Sequence, residues 1–123
     1  MWHIEYEPTQ QTLTIQLTGT VFVGHMNALA RAHAKALEAT GGERFRILVD
    51  LRGLRPLDAA TAAVLADMKR VAVQLPSYLG RAVLVDSATV AMQQHNATLE
   101  DGGDESELIT NEVADAMRFV EAL

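Results

Sequence analysis

Two aspartates, Asp50 and Asp58, bracket the segment of the chain with the strongest claim to chemistry. An apolar run precedes Asp50 and places it at the C-terminal end of a buried strand, while Asp58 opens a helical pattern. The crevice beyond parallel-strand C-termini is where open α/β sheets bind ligands. Two carboxylates there could hold Mg²⁺ or serve as acid and base. Both also have structural roles available, Asp58 as an N-cap for orphan backbone N–H groups and Asp50 as an acceptor for the turn. Arg52 and Arg55 flank Gly53 in that turn. With Asp58 and the free N–H groups of the helix start they could receive a phosphate or carboxylate, or they could be two solvated charges. Gly53 is the residue that permits the turn itself.

The other candidates are more scattered. Asp86 closes a second strand, so it could face Asp50. A receiver-type Mg²⁺ site would also need a lysine late in the chain, and none follows Lys69. His25 and His33 lie on one helix about 80° apart, which argues against a shared metal. His33 falls in an apolar stripe, as a core or interface histidine whose protonation would be pH-sensitive. Ser77, Ser87 and Ser106 have no histidine in a nucleophile arrangement. The absence of cysteine excludes disulfides, thiol nucleophiles and thiolate metal sites. No metal site and no cofactor is expected.

The elements that must position these residues follow from periodicity. The 123 residues are 49% hydrophobic and 21% charged, enough for one core in one domain spanning residues 1–123. A net charge of −6 disfavours nucleic acid and anionic membrane surfaces as partners. No apolar run is long enough to span a bilayer, and no leader pattern opens the chain, so a cytoplasmic protein is expected. Trp2–Tyr6 and Thr12–Leu17 alternate like half-buried strands around a polar turn, which predicts an antiparallel hairpin. A helix over His25–Thr40 carries Met26, Leu29, Ala30, His33 and Leu37 inward and stops at Gly41 and Gly42. Ile47–Leu51 reads as a strand covered on both faces. The helix from Asp58 is expected to bury Thr61, Val64, Leu65, Met68, Val71, Ala72 and Leu75. Ala82–Val85 forms the next strand, and Asp86 or Ser87 caps a helix to about Asn96. Leu99–Glu107, acidic and glycine-containing, reads as a solvated loop. Leu108–Ile109 is a short edge strand, and Thr110 caps a last helix with Val113, Met117 and Val120 inward.

The outer face of the second helix reads Ala59, Ala62, Ala63, Ala66 and Val73 among Asp67, Lys69 and Arg70. Small side chains let another helix approach closely, although alanine is also simply a good helix former. Met26, Met68, Met92 and Met117 could line a site for a small apolar ligand or could pack the core.

Asp50-Leu-Arg-Gly-Leu-Arg-Pro-Leu-Asp58-Ala-Ala-Thr resembles the signature of the STAS / SpoIIAA-like superfamily, in which Asp-Leu-Ser-Gly-Val precedes Ile-Asp-Ser-Ser-Gly-Leu. Anti-sigma factor antagonists and the cytoplasmic domains of sulfate transporters carry it. The whole chain looks most like small bacterial STAS/SEC14-type proteins. The resemblance implies an α/β fold: a SpoIIAA-like mixed β-sheet with an N-terminal antiparallel hairpin, βαβ crossovers and about four helices. It implies a non-enzymatic regulatory module that binds a protein partner or itself as a homodimer. The alternative is a SEC14-like small-molecule or lipid-binding domain. The contact residues would be Asp50, Arg52, Gly53, Arg55, Asp58, Ala59, Thr61 and Ala62. The phosphorylatable serine of the family matches Ala59 here, the next serine Ala60, and the glycine Thr61. The switch hydroxyl is therefore missing unless Thr61 supplies it, and Thr61 lies on the stripe expected to be buried.

Overall fold

The alternating N-terminal segments pair as strands. In the computed structural model, which describes residues 1–100 and 104–123, β1 (Trp2–Glu7) runs antiparallel to β2 (Thr12–Leu17), with Ile4 opposite Ile15 and Tyr6 opposite Leu13. Their apolar side chains share one face, and His3, Glu5 and Glu7 take the other, exposed one. Helix α1 (Val23–Ala39) buries Met26, Leu29, His33 and Leu37, one residue per turn or so, as its stripe requires. Gly41 and Gly42, both at positive φ, end the helix and lead into β3 (Phe45–Asp50). Helix α2 (Ala59–Val73), β4 (Tyr78–Leu84), α3 (Ala88–Glu100), β5 (Glu107–Thr110) and α4 (Val113–Glu121) complete the chain.

The sheet order is β1-β2-β3-β4-β5, and each pair after the hairpin is parallel. Because every crossover from β2 onward moves to the next strand in the same direction, right-handed connections place α1, α2 and α3 on one face. The main core forms there from Leu13, Ile15, Phe45, Ile47, Val49 and Val83 against the three helices. Only α4 is left for the other face, where Ala116 and Val120 meet Ala82 and Leu84. The expectation for β3 is therefore met unevenly. Phe45, Ile47 and Val49 are buried, whereas Arg46, Leu48 and Asp50 on the α4 side are half-buried.

Several expectations need correction. Val113 and Met117 point outward, and the inward residues of α4 are Ala116 and Val120. Thr110 accepts the Glu112 N–H ahead of the helix instead of capping it. On α2, Thr61, Leu65, Met68 and Ala72 are buried as the stripe predicts, but Val71 is exposed and Lys69 is buried. These two sit on opposite flanks of the stripe, and α3 covers only the Lys69 flank, through Gln94 and Thr98. The acidic segment expected to be a loop falls at residues 101–103 outside the described residues. Its flanks are ordered: Leu99 belongs to α3 and Glu107 to β5. No helix among the described residues is long and apolar enough to cross a membrane.

Gly80 in β4 shows how tightly the α4 side is closed. A Cβ there would lie 2.7 Å from the Ser106 carbonyl oxygen and 2.8 Å from a Leu123 methyl. Gly80→Ala is therefore expected to cost about 1–3 kcal/mol by overpacking. Chemical denaturation checks this, and an unchanged midpoint would contradict so close an approach.

Candidate functional site

The segment from Asp50 to Asp58 lies at the C-terminal end of β3, and it is held by side-chain and backbone hydrogen bonds along its length. The Arg52 guanidinium forks onto Asp50, Nε to Oδ1 at 3.0 Å and Nη2 to Oδ2 at 2.8 Å, while the Arg52 backbone N–H donates to Oδ1 at 3.1 Å. That fork holds the Asp50 carboxyl below its ordinary range, against the modest opposing effect of burial. Gly53, at φ 78°, donates its N–H to both oxygens of Asp86, at 3.0 and 2.9 Å. A left-handed conformation there suits a residue without a Cβ.

Backbone bonds tie the same loop to the end of β2. Gly19 donates to the Gly53 carbonyl at 2.9 Å, and Arg55 donates to the Gly19 carbonyl at 3.0 Å. Gln93 of α3 clamps Leu57 by accepting its N–H at 3.1 Å and donating to its carbonyl at 2.8 Å. Leu54 and Leu57 are sunk in the core, so the loop is anchored by side chains as well. Asp58 caps α2, its Oδ1 accepting the Thr61 N–H at 2.8 Å, and that bond holds its carboxyl low.

The structure thus brings Asp50, Arg52 and Gly53 together with Asp86. Asp58 makes no ion pair with Arg52 or Arg55 among the described residues. Arg52, Gly53, Arg55, Asp58 and Ala59 are exposed, Asp50 is half-buried and Ala62 packs partly against the core. Thr61 is fully buried and supports α2 from beneath instead of lining its surface. The Asp50 and Asp58 carboxyls hold a turn and a cap and are kept ionised, so neither is poised to donate or collect a proton near neutrality. No group of three His, Cys, Asp or Glu side chains among the described residues is placed to hold a metal ion. His25 instead accepts the Phe22 N–H at 3.2 Å and steadies the start of α1. Met26 and Met68 are core residues, whereas Met92 and Met117 are exposed.

A second polar cluster was not visible in the sequence. Between the sheet and helices α2 and α3, Glu107 receives Arg81 Nε at 2.8 Å, Lys69 Nζ at 3.3 Å and the Thr98 hydroxyl at 2.7 Å. Asp104 receives the Tyr78 hydroxyl at 2.7 Å, the Ser106 N–H and hydroxyl at 2.9 Å, and lies 3.6 Å from Arg81 Nη2. The side chains of all four charged residues are 3–6% exposed. Burial alone would raise the Glu107 carboxyl, but Lys69, Arg81 and Thr98 outweigh it and hold it low. Burial pulls Lys69 down to about 8 despite Glu107, and pushes the Tyr78 phenol up.

His33 lies beside this cluster. Burial, with the Arg81 charge, lowers it to about 4, so it is neutral at physiological pH. A void of about 20 Å³ between His33, Lys69, Arg81 and the apolar core has room for a single water, not an acyl chain. The four charges balance in number, and a cleft of about 120 Å³ opens beside them along α2. The signal that could have exposed the cluster was a lone arginine leading the apolar Ala82–Val85 run. Its partner depends on the Arg81–Glu107 register, which no local pattern encodes.

The sequence matches no protein-family model and no curated protein. The fold does match a solved structure, that of an anti-sigma factor antagonist from Mycobacterium paratuberculosis. The TM-score is 0.67 over 98% of this chain and 94% of that one, at 15% identity. At that identity the likeness is one of fold, and the mixed sheet with four helices described above is the SpoIIAA-like fold.

Two stability effects follow from the buried cluster. Glu107→Gln leaves Lys69 and Arg81 without their shared counter-charge and is expected to cost about 3–5 kcal/mol. Lys69→Met should cost far less, since it removes an ion that burial already disfavours and leaves Glu107 bound to Arg81 and Thr98. Denaturant unfolding of both variants decides the matter, and equal losses would contradict it. For His33, the unfolded chain takes up a proton near pH 6.5 that the folded chain refuses until about 4. Acidification through that window therefore favours unfolding, by up to roughly 3 kcal/mol for this group. His33→Leu should flatten the stability profile between neutral pH and pH 4, measured by unfolding at each pH.

Proposed function

We propose that the chain is a non-enzymatic, STAS-like regulatory module that binds a protein partner, or a second copy of itself, through the Arg52–Asp58 loop and the exposed start of α2. The observation that carries this reading is that the loop is exposed and yet pinned from β2, from Asp86 and from Gln93. An outward-facing segment so thoroughly fixed offers a preformed surface, which lowers the entropy lost on docking. Its chemistry is specific enough to name the kind of contact. Arg52 is already matched by Asp50, whereas Arg55 is exposed and makes no ion pair among the described residues, so it suits an acidic side chain of the partner. Ala59, Ala60 and Ala63 add a small-residue strip on which a helix could lie close.

A solved structure that shares the fold is that of an anti-sigma factor antagonist, which supports a regulatory, protein-directed role. This chain would play such a role without a phosphorylation switch. Ala59 has no hydroxyl, and the nearest one, on Thr61, is fully buried beneath the helix and closed to a kinase.

Ala63→Arg places a long charged side chain on the strip without touching the core. Light scattering of both chains reads self-association, and affinity capture under identical conditions reads a separate partner. The expected outcome is a species present with the wild-type chain, either a dimer or a captured protein, that falls by about tenfold with Ala63→Arg while thermal unfolding is unchanged. A monomer that captures nothing sensitive to Ala63→Arg would overturn the proposal.

A further inference from the structure

The polar half of the sheet's second face carries a feature that the partner-binding surface does not use. Helix α4 is only nine residues long and covers β3, β4 and β5, so the hairpin's outer face beside it stays open. A groove of about 490 Å³ runs along this junction, between the β1–β2 turn with β2 on one side and α4 on the other. Arg46 lies in its floor, where the β3–β4 register slips by one residue. Such bulges re-aim side chains. The Arg46 Nε is wholly buried and donates no hydrogen bond, and the side chain makes no ion pair among the described residues.

A buried, unpaired guanidinium donor costs stability, on the order of 1–3 kcal/mol. Native structures seldom leave such a group unsatisfied without a reason. In the same groove, Leu48, Val120 and Met117 form an aliphatic wall, Thr12 pairs with Arg46 and Thr14 with Leu48 across β2 and β3, and Glu121 sits on the α4 side.

We propose that this groove binds a small monocarboxylate with an aliphatic body. The carboxylate would be gripped by Arg46 and the hydrocarbon would lie against Leu48, Met117 and Val120. The Nε has no exposed surface in this conformation, so a planar carboxylate would satisfy it once the Arg46 side chain swings toward the groove, where the guanidinium fork matches the carboxylate. One cation, with Glu121 nearby in a chain of net charge −6, suits a single negative charge and disfavours a phosphate dianion. The volume falls within the ordinary range for small-molecule sites. The groove lies across the sheet from α2, so the inference stands independently of the partner-binding reading.

The test is an NMR titration of the full chain with sodium hexanoate, following backbone amides and the arginine Nε–H signals. Hexanamide serves as the neutral isostere and inorganic phosphate as the competing anion. Hexanoate should give saturable shifts at the Arg46 Nε–H and at the Thr14, Leu48 and Val120 amides. Hexanamide and phosphate should bind at least about tenfold more weakly. Arg46→Gln should abolish the hexanoate response while keeping a native amide spectrum. Glu121→Gln leaves Arg46 in place and should tighten hexanoate binding, so the inference remains testable if Arg46→Gln fails to fold. The proposal is overturned by equal binding of hexanamide or tighter binding of phosphate. It is equally overturned by an absent or unsaturable response at Arg46, or by a Glu121→Gln affinity that does not rise.

Discussion

The direction of the crossovers governs most of this molecule. From β2 to β5 each connection steps to the next strand on the same side, and right-handedness then commits three helices to one face of a five-stranded sheet. That face becomes a deep core with room for a buried ionic cluster at its α2–α3 edge. The opposite face has a single short helix and must remain partly polar. The alternation of β1 and β2, with His3, Glu5 and Glu7 outward, is the sequence's accommodation of that asymmetry. The groove at Arg46 is the place where the lone helix runs out.

At the C-terminal ends of the strands the same geometry gathers three acidic side chains, and the structure spends each on architecture. Asp50 closes on Arg52, Asp86 receives the Gly53 N–H and Asp58 caps α2. A set of carboxylates in a ligand-prone crevice is therefore insufficient grounds for catalysis. What matters is whether any oxygen is left uncommitted and any proton is held near its transfer point.

Features set by neighbours along the chain were legible in the sequence. The hairpin, the α1 stripe, the Asp58 cap and the burial of His33 and Thr61 each follow from spacing within a turn or two. Features set by distant neighbours were not. Lys69 reads as a solvated charge until α3 is laid over it, and Glu107 reads as part of an acidic loop until β5 pairs with β4 and brings it to Arg81. On the short α4, Val120 is inward as its spacing suggests, but a shift of one position in phase exchanges Met117 for Ala116. The Arg46 groove depends on where α4 ends against the hairpin, which is a tertiary fact without a local signature.

The pins on the Arg52–Asp58 loop also have a kinetic meaning. If a partner docks there as proposed, it meets a surface already held by Asp86, Gln93 and the end of β2. Its encounter rate would then be set by diffusion and orientation, on the order of 10⁵–10⁷ M⁻¹ s⁻¹ for protein pairs. Under the proposed reading, in which no hydroxyl at position 59 switches binding, the lifetime of a complex would be written into its contacts. On that reading, occupancy would follow how much of each protein is present, and the chain would act as a gauge of abundance instead of a relay.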